Sequence, residues 1–223
     1  MTIETKATRR IEFVCPFCKG KSDTVLQLQL DVIADPTIYD RLFAGSLNEI
    51  ECQKCHEVVP FDYSMVLIDS VKKNTLWLDP QDDPFALKLE SIERDREKLY
   101  RIVTDSNTLR ELASVHRDGL NDGAMLLLKH MVAARVLQDT GNSPALCSYE
   151  CRAGESADAW LEFVIFASED AEPEGVTVPY GMYVELVDQL KDSIDKLMPN
   201  GEWIDWNDRM AEKLWMSIPR GKV

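Results

Sequence analysis

Two C-x-x-C pairs, Cys15-Pro16-Phe17-Cys18 and Cys52-Gln53-Lys54-Cys55, are separated by 33 residues and constrain this chain more than any other feature. Each pair can offer two thiolates to one metal ion from a tight turn. Four thiolates at about 2.3 Å fill a tetrahedral zinc shell and leave no position for water. The spacing therefore predicts one structural Zn2+ held by Cys15, Cys18, Cys52 and Cys55. A saturated site of this kind holds a fold together and does not activate a nucleophile. Gly20, two positions after Cys18, is expected to supply the unusual backbone angles of the first turn. His56 follows Cys55 directly, and adjacent residues rarely both reach one metal, so it is expected beside the site rather than in it.

Competing readings of the cysteines are weaker on physical grounds. Thioredoxin-like redox chemistry at Cys15-Pro16-Phe17-Cys18 needs a helix that starts inside the motif. Here Lys19-Gly20-Lys21 and an alternating strand follow instead. The N-terminus has no apolar h-region, so no secretory signal is expected and the default location is the cytoplasm. Reduced cysteines then favour a metal site over a disulfide framework. Cys147 and Cys151 form C-x3-C in a strand-like stretch with no second pair, and are read as core or surface thiols.

Charge bears on partners. The net charge is −14, and residues 142–223 carry 7 Lys/Arg against 16 Asp/Glu. An acidic C-terminal third repels phosphate backbones and anionic lipids. No run of about 18 apolar residues suggests a membrane span.

Periodicity places the motifs. Ile11 to Val14 reads as a strand entering the first knuckle. Leu26, Leu28, Leu30 and Val32 alternate with polar residues as one half-buried strand. Asp35-Pro36 reads as an N-cap and first helical position, with Ile38, Leu42 and Phe43 as the apolar stripe and Gly45 as the stop. A strand through Phe61, Tyr63, Met65 and Leu67 turns at Lys72-Lys73-Asn74 into Thr75 to Leu78. Asp83-Pro84 repeats the cap signal. Phe85, Leu89, Ile92, Leu99 and Val103 then suggest a helix, with Glu90–Arg94 and Glu97–Arg101 as exposed pairs. Further helices are expected from Thr108 to His116 and, opened by Asp118 to Asp122, on to about Gln138, the latter central and buried. A hairpin from Leu146 to Arg152 and from Ala159 to Ala167 follows, then an acidic loop and a helix through Met182 to Met198. A short helix from Asp208 to Trp215 ends the pattern, in a tail with Trp203 and Trp206.

This makes an α+β chain with a small antiparallel, zinc-ribbon-like sheet, a helical middle, and a C-terminal hairpin plus amphipathic helix. Three parts are expected: residues 10–80, zinc-anchored and β-rich; residues 81–140, helical; and residues 141–223, acidic and mixed.

No other constellation carries chemistry. Asp82-Asp83 and Asp118/Asp122 sit where helices start, and capping accounts for them. His116 and His130 are read as packed or surface histidines. The sequence contains no Gly-rich phosphate loop, no G-x-S-x-G and no H-E-x-x-H.

The knuckles and their surroundings resemble the CpXC domain family. The residues that carry the resemblance are Val14 to Cys18, Asp35-Pro36, Leu42 to Asn48, and Cys52 to Cys55. It continues through Met65 to Leu78 and Asn107 to Val132, and covers roughly residues 10–135. The family implies a zinc-binding module and brings no catalytic residues with it. The chain departs from it at His56, where glycine is common in such knuckles.

The expected function is a non-enzymatic interaction or regulatory module with a protein partner. One alternative is an enzyme with a site between sheet and helices. Another is nucleic-acid binding through Lys6, Arg9, Arg10, Lys19, Lys21 and Lys54.

Overall fold

Short strands dominate the first half of the chain and helices the second. The structure, a computed structural model, describes residues 8–81, 94–142, 144–154, 158–168 and 171–218. The first half runs β1 (Thr8–Val14), β2 (Lys21–Gln27), β3 (Gln29–Asp31), α1 (Ile38–Phe43), β4 (Glu49–Glu51), β5 (Val58–Pro60), β6 (Met65–Asp69), β7 (Asn74–Leu78) and β8 (Leu99–Val103). The second runs α2 (Ser106–Arg117), α3 (Asp122–Thr140), β9 (Leu146–Ala153), β10 (Trp160–Phe166), β11 (Glu174–Pro179), α4 (Tyr180–Leu197), β12 (Trp203–Asp205) and α5 (Asp208–Ser217). The fold is α+β. It divides into two units: Met1–Arg110 with Gly201–Ile204, and Glu111–Asn200 with Asp205–Val223. The first boundary falls inside α2.

In the first unit, the alternation of Leu26, Leu28 and Leu30 survives as burial, since all three are buried. It does not survive as one strand. β2 pairs antiparallel with β1, and after Leu28 the chain changes partner: β3 runs parallel to β6. Side-chain period alone cannot register this, because alternation reports which face is buried and not which neighbour supplies the hydrogen bonds. The largest sheet has the order β12-β8-β7-β6-β3 and is mixed, with β6–β7 antiparallel and β7–β8 parallel. Its centre is β7, in which every residue is buried, flanked by Met65 and Leu67 of β6 with no exposure. Trp203 of β12 packs edge-on against Trp77 (5.7 Å) and Tyr100 (5.0 Å), and the Trp77 indole N–H donates to Ser64 Oγ at 2.9 Å.

Two local expectations are corrected. Asp35 does not cap α1; Thr37 occupies that position. The Asp35 carboxylate instead accepts from the Thr37 N–H (3.0 Å) and hydroxyl (2.6 Å) and from Arg41 (3.0 Å). The expected helix from Asp83 falls partly on residues 82–93, which lie outside the described residues. Its end is β8, a strand hydrogen-bonded in parallel to β7. Leu99 and Val103 are four apart, a spacing that satisfies a helix and a strand equally, so the pattern was ambiguous there. The expected Glu97–Arg101 pair goes with it: Arg101 is fully buried, and Glu97 pairs with Lys73 at 3.1 Å.

In the second unit, the capping expected of Asp118 or Asp122 at the start of α3 falls instead to Asn121. Asn121 caps α3 by accepting from the Ala124 N–H at 2.9 Å, and Gly141 ends it in the left-handed region at φ 76°. Burial along α3 is confined to Asp122–Leu128 and Val132, so only its first half is central. β9, β10 and β11 form an antiparallel sheet in the order β11-β10-β9. β11 begins at Glu174 and Gly175, read as the end of an acidic loop, and runs through the stretch that leads to α4. In this unit α3 contacts α4 and α5. None of the helices described is long and apolar enough to cross a membrane.

Candidate metal centre

Each C-x-x-C pair is the turn of a two-stranded antiparallel hairpin. β1 delivers Cys15 and β2 leaves after Gly20; β4 delivers Cys52 and β5 leaves after Glu57. The two turns are built alike. Lys19 N–H donates to Cys15 O and Cys15 N–H to Gly20 O, at 2.9 and 3.0 Å; His56 N–H donates to Cys52 O and Cys52 N–H to Glu57 O, both at 2.9 Å. The residue after each second cysteine takes a positive φ, 57° at Lys19 and 61° at His56.

This corrects the expectation for Gly20. The position with positive φ is Lys19, one residue earlier, and Gly20 is instead closely approached by two side chains. A Cβ at Gly20 would stand 2.5 Å from Lys54 Cδ and 3.1 Å from Cys18 Sγ. Lys54 of the second knuckle thus lies across the first, and Gln53 Nε2 donates to the Asp23 carbonyl at 2.8 Å.

The structure brings all four cysteines together. Their Sγ atoms lie within 4.8 Å of one another. Two sulfur–sulfur separations that run between the knuckles, Cys15–Cys55 and Cys18–Cys52, are 3.7 Å. Cys15 and Cys52 have no exposed surface, Cys55 is half-buried and Cys18 is exposed. The Gly20 N–H points at Cys18 Sγ at 3.4 Å, and Ser22 Oγ lies 3.9 Å from Cys52 Sγ. Backbone hydrogen bonds from Cys55 and Lys54 hold the Cys52 thiol down at about 6. The Glu57 N–H pulls Cys55 the same way, but desolvation and the sulfurs of Cys18, Cys52 and Cys15 outweigh it and push that thiol up to about 12. Four negative charges this close need a cation among them. The cluster can hold a metal ion.

The remaining candidates lie elsewhere. His56 is exposed, and its Nδ1 pairs with Glu51 Oε1 at 2.9 Å. Cys147 is buried, with burial pushing its thiol up to about 12; Cys151 Sγ donates to Glu162 at 3.4 Å. Among the described residues, neither belongs to the metal-competent group. His116 and the Asp122 carboxylate are buried 4.0 Å apart. Asp118 binds the Tyr149 hydroxyl at 2.6 Å and Arg117 Nε at 2.8 Å, a structural use rather than a paired carboxylate. Asp82, Asp83 and Lys6 lie outside the described residues. Of the basic set, Lys21 is paired with Glu12 at 2.7 Å.

Sequence reasoning missed one buried ion pair. Glu111 Oε2 accepts from Lys129 Nζ at 2.6 Å, and Glu111 Oε1 accepts from the Tyr149 N–H at 2.8 Å. The partners sit on different elements and carry no shared motif, so no local signal marked them.

A family model described as CpXC protein matches residues 13–129, which include both knuckles, the sheet strands β2 to β8, α2 and the buried start of α3. No curated protein and no solved structure matches the chain. The match spans more than half of the sequence and contains all four clustered cysteines, and on that ground the chain belongs to the CpXC protein family.

Proposed function

We propose that Cys15, Cys18, Cys52 and Cys55 hold one structural Zn2+ and that the chain is a zinc-anchored interaction or regulatory module for a protein partner. The observation that carries the metal assignment is the pair of 3.7 Å sulfur–sulfur separations. A tetrahedron with metal–sulfur bonds of about 2.3 Å has edges of about 3.8 Å. Four sulfur ligands in that arrangement suit zinc, or iron, over magnesium or calcium.

The energetics explain why a metal belongs there. The strands β4 and β5 bury only Ile50 and Val59. Burying two such side chains contributes about 3–6 kcal/mol, while ordering the two three-residue strands costs about 6–12 kcal/mol. A two-stranded hairpin is marginal alone, and metal binding energy becomes folding energy. A site closed by four thiolates serves this role and leaves no position for a substrate.

Elemental analysis of the purified chain should find about one zinc per chain and no visible iron–thiolate absorption. The Cys52→Ser variant should lose the metal, with loss of hydrogen-exchange protection in β1–β2 and β4–β5. A folded, metal-free protein with both hairpins protected would defeat the assignment. Affinity capture on the metal-loaded protein, compared with Cys52→Ser, tests the partner: a protein retained only by the loaded form supports a module, and none retained counts against it.

A further inference from the structure

The four cysteines are unequally buried, and their inequality is paired across the knuckles. Exposed Cys18 lies 3.7 Å from buried Cys52, and half-buried Cys55 lies 3.7 Å from buried Cys15. Each of these two pairs therefore joins a residue that meets solvent to one that is buried, and each bridges the two hairpins, within a cluster whose four sulfurs all lie within 4.8 Å of one another. Oxidation of cysteine follows thiolate character and access. A fully enclosed site would offer a peroxide no entry.

We propose that this centre is a peroxide-responsive clamp that exchanges its zinc for disulfides between the knuckles, Cys18 with Cys52 and Cys55 with Cys15. The proposal rests on the zinc reading above. The Cys18 thiolate attacks hydrogen peroxide: an S–O bond forms, the O–O bond breaks and hydroxide leaves. The Cys52 thiolate then attacks the Cys18 sulfenic sulfur: the S–S bond forms, the S–O bond breaks and a second hydroxide leaves. Two thiolates lose two electrons and one peroxide gains them. With Cys18 and Cys52 joined in a disulfide, the remaining two thiolates would no longer hold a zinc ion. Cys55 and Cys15 repeat the sequence with a second peroxide. The bonds that form keep the hairpins joined after the metal has gone, across spans of 34 and 40 residues. Thiol reductants and fresh zinc reverse the change.

The test uses the full chain with its zinc content measured beforehand. Hydrogen peroxide is added at two equivalents, zinc is followed with a chromophoric chelator, and the product is digested with trypsin without reduction. Cleavage after Arg10, Lys19, Arg41, Lys54 and Lys72 places Cys15 and Cys18 together on 11–19, Cys52 on 42–54 and Cys55 on 55–72. The expected result is release of about one zinc per chain, with 11–19 linked to both other peptides and fragmentation locating Cys18–Cys52 and Cys15–Cys55. Dithiothreitol with added zinc should restore the metal content. Retention of zinc overturns the proposal, as does a bond inside 11–19 or one joining only 42–54 to 55–72. A chain that carries no zinc before peroxide is added fails the zinc reading itself, and is recognised at that first measurement.

Discussion

Glu111 and Lys129 form a buried ion pair whose worth can be worked from the structure. The Glu111 side chain is 2% exposed and that of Lys129 is 18% exposed, with 2.6 Å between their charged atoms. At that distance, with an effective dielectric constant near 20, the attraction is about 6 kcal/mol before desolvation is subtracted. Glu111→Gln removes the charge, while its amide oxygen can still accept from the Tyr149 N–H now bound by Glu111 Oε1. What is left is a lysine without its counter-ion. Breaking one side of a buried pair costs about 3–5 kcal/mol. Lys129 retains some contact with water and stands 5.5 Å over the Trp206 ring, so the lower end, about 3 kcal/mol, is expected. Lys129→Met strands the less exposed partner and should cost more. The double variant should be at least about 2 kcal/mol more stable than the sum of the single losses predicts. Urea unfolding of the four proteins, followed by far-ultraviolet circular dichroism and tryptophan fluorescence, measures the cycle. A loss below about 1 kcal/mol for Glu111→Gln, or simple additivity, would refute the reasoning.

Three further outcomes follow from the same geometry. His56 holds a positive φ of 61° and makes only an exposed pair with Glu51. Relief of a left-handed strain of about 1–2 kcal/mol exceeds the entropy cost of glycine, about 0.5–1 kcal/mol, so His56→Gly should stabilise the zinc-loaded first unit by up to about 1 kcal/mol; a lower thermal midpoint would contradict this. Gly20→Ala places a Cβ 3.1 Å from Cys18 Sγ, which must give way, and 2.5 Å from Lys54 Cδ, whose exposed side chain can swing aside; it should weaken zinc binding in a competition titration, and adding Lys54→Ala should change that little, while unchanged affinity would show that the Cys18 contact is absorbed. Burial opposes the Asp118 charge, yet Arg117, Tyr149 and the Arg152 N–H hold its carboxyl below the usual value. A lowered carboxyl contributes stability that is present above its unfolded value near 4 and is lost as pH falls through the folded one. Asp118→Asn should therefore narrow its stability gap to the parent below about pH 4, and a gap that widened on acidification would be the contrary result.

The metal centre was legible because its chemistry is local. Two cysteines three positions apart in a turn reach one point in space whatever the rest of the chain does. Alternation identified Leu26, Leu28 and Leu30 as buried for the same reason: burial of one strand face is written into every second residue. Pairing is not written there. The change of partner at Leu28, the strand at Leu99–Val103 and the recruitment of Trp203–Asp205 beside β8 each depend on a hydrogen-bonding edge supplied by a distant segment. The same limit held inside the knuckles. Their cysteines could be grouped from spacing, but only the folded turns put the left-handed backbone on Lys19 and His56, set Lys54 against Gly20, and left Cys18 exposed beside buried Cys52. By itself the sequence determined which four sulfurs meet. The tertiary structure decided which of them face water and which neighbours they cross to, because exposure and cross-knuckle distance depend on how two hairpins pack against each other, and no local pattern records that.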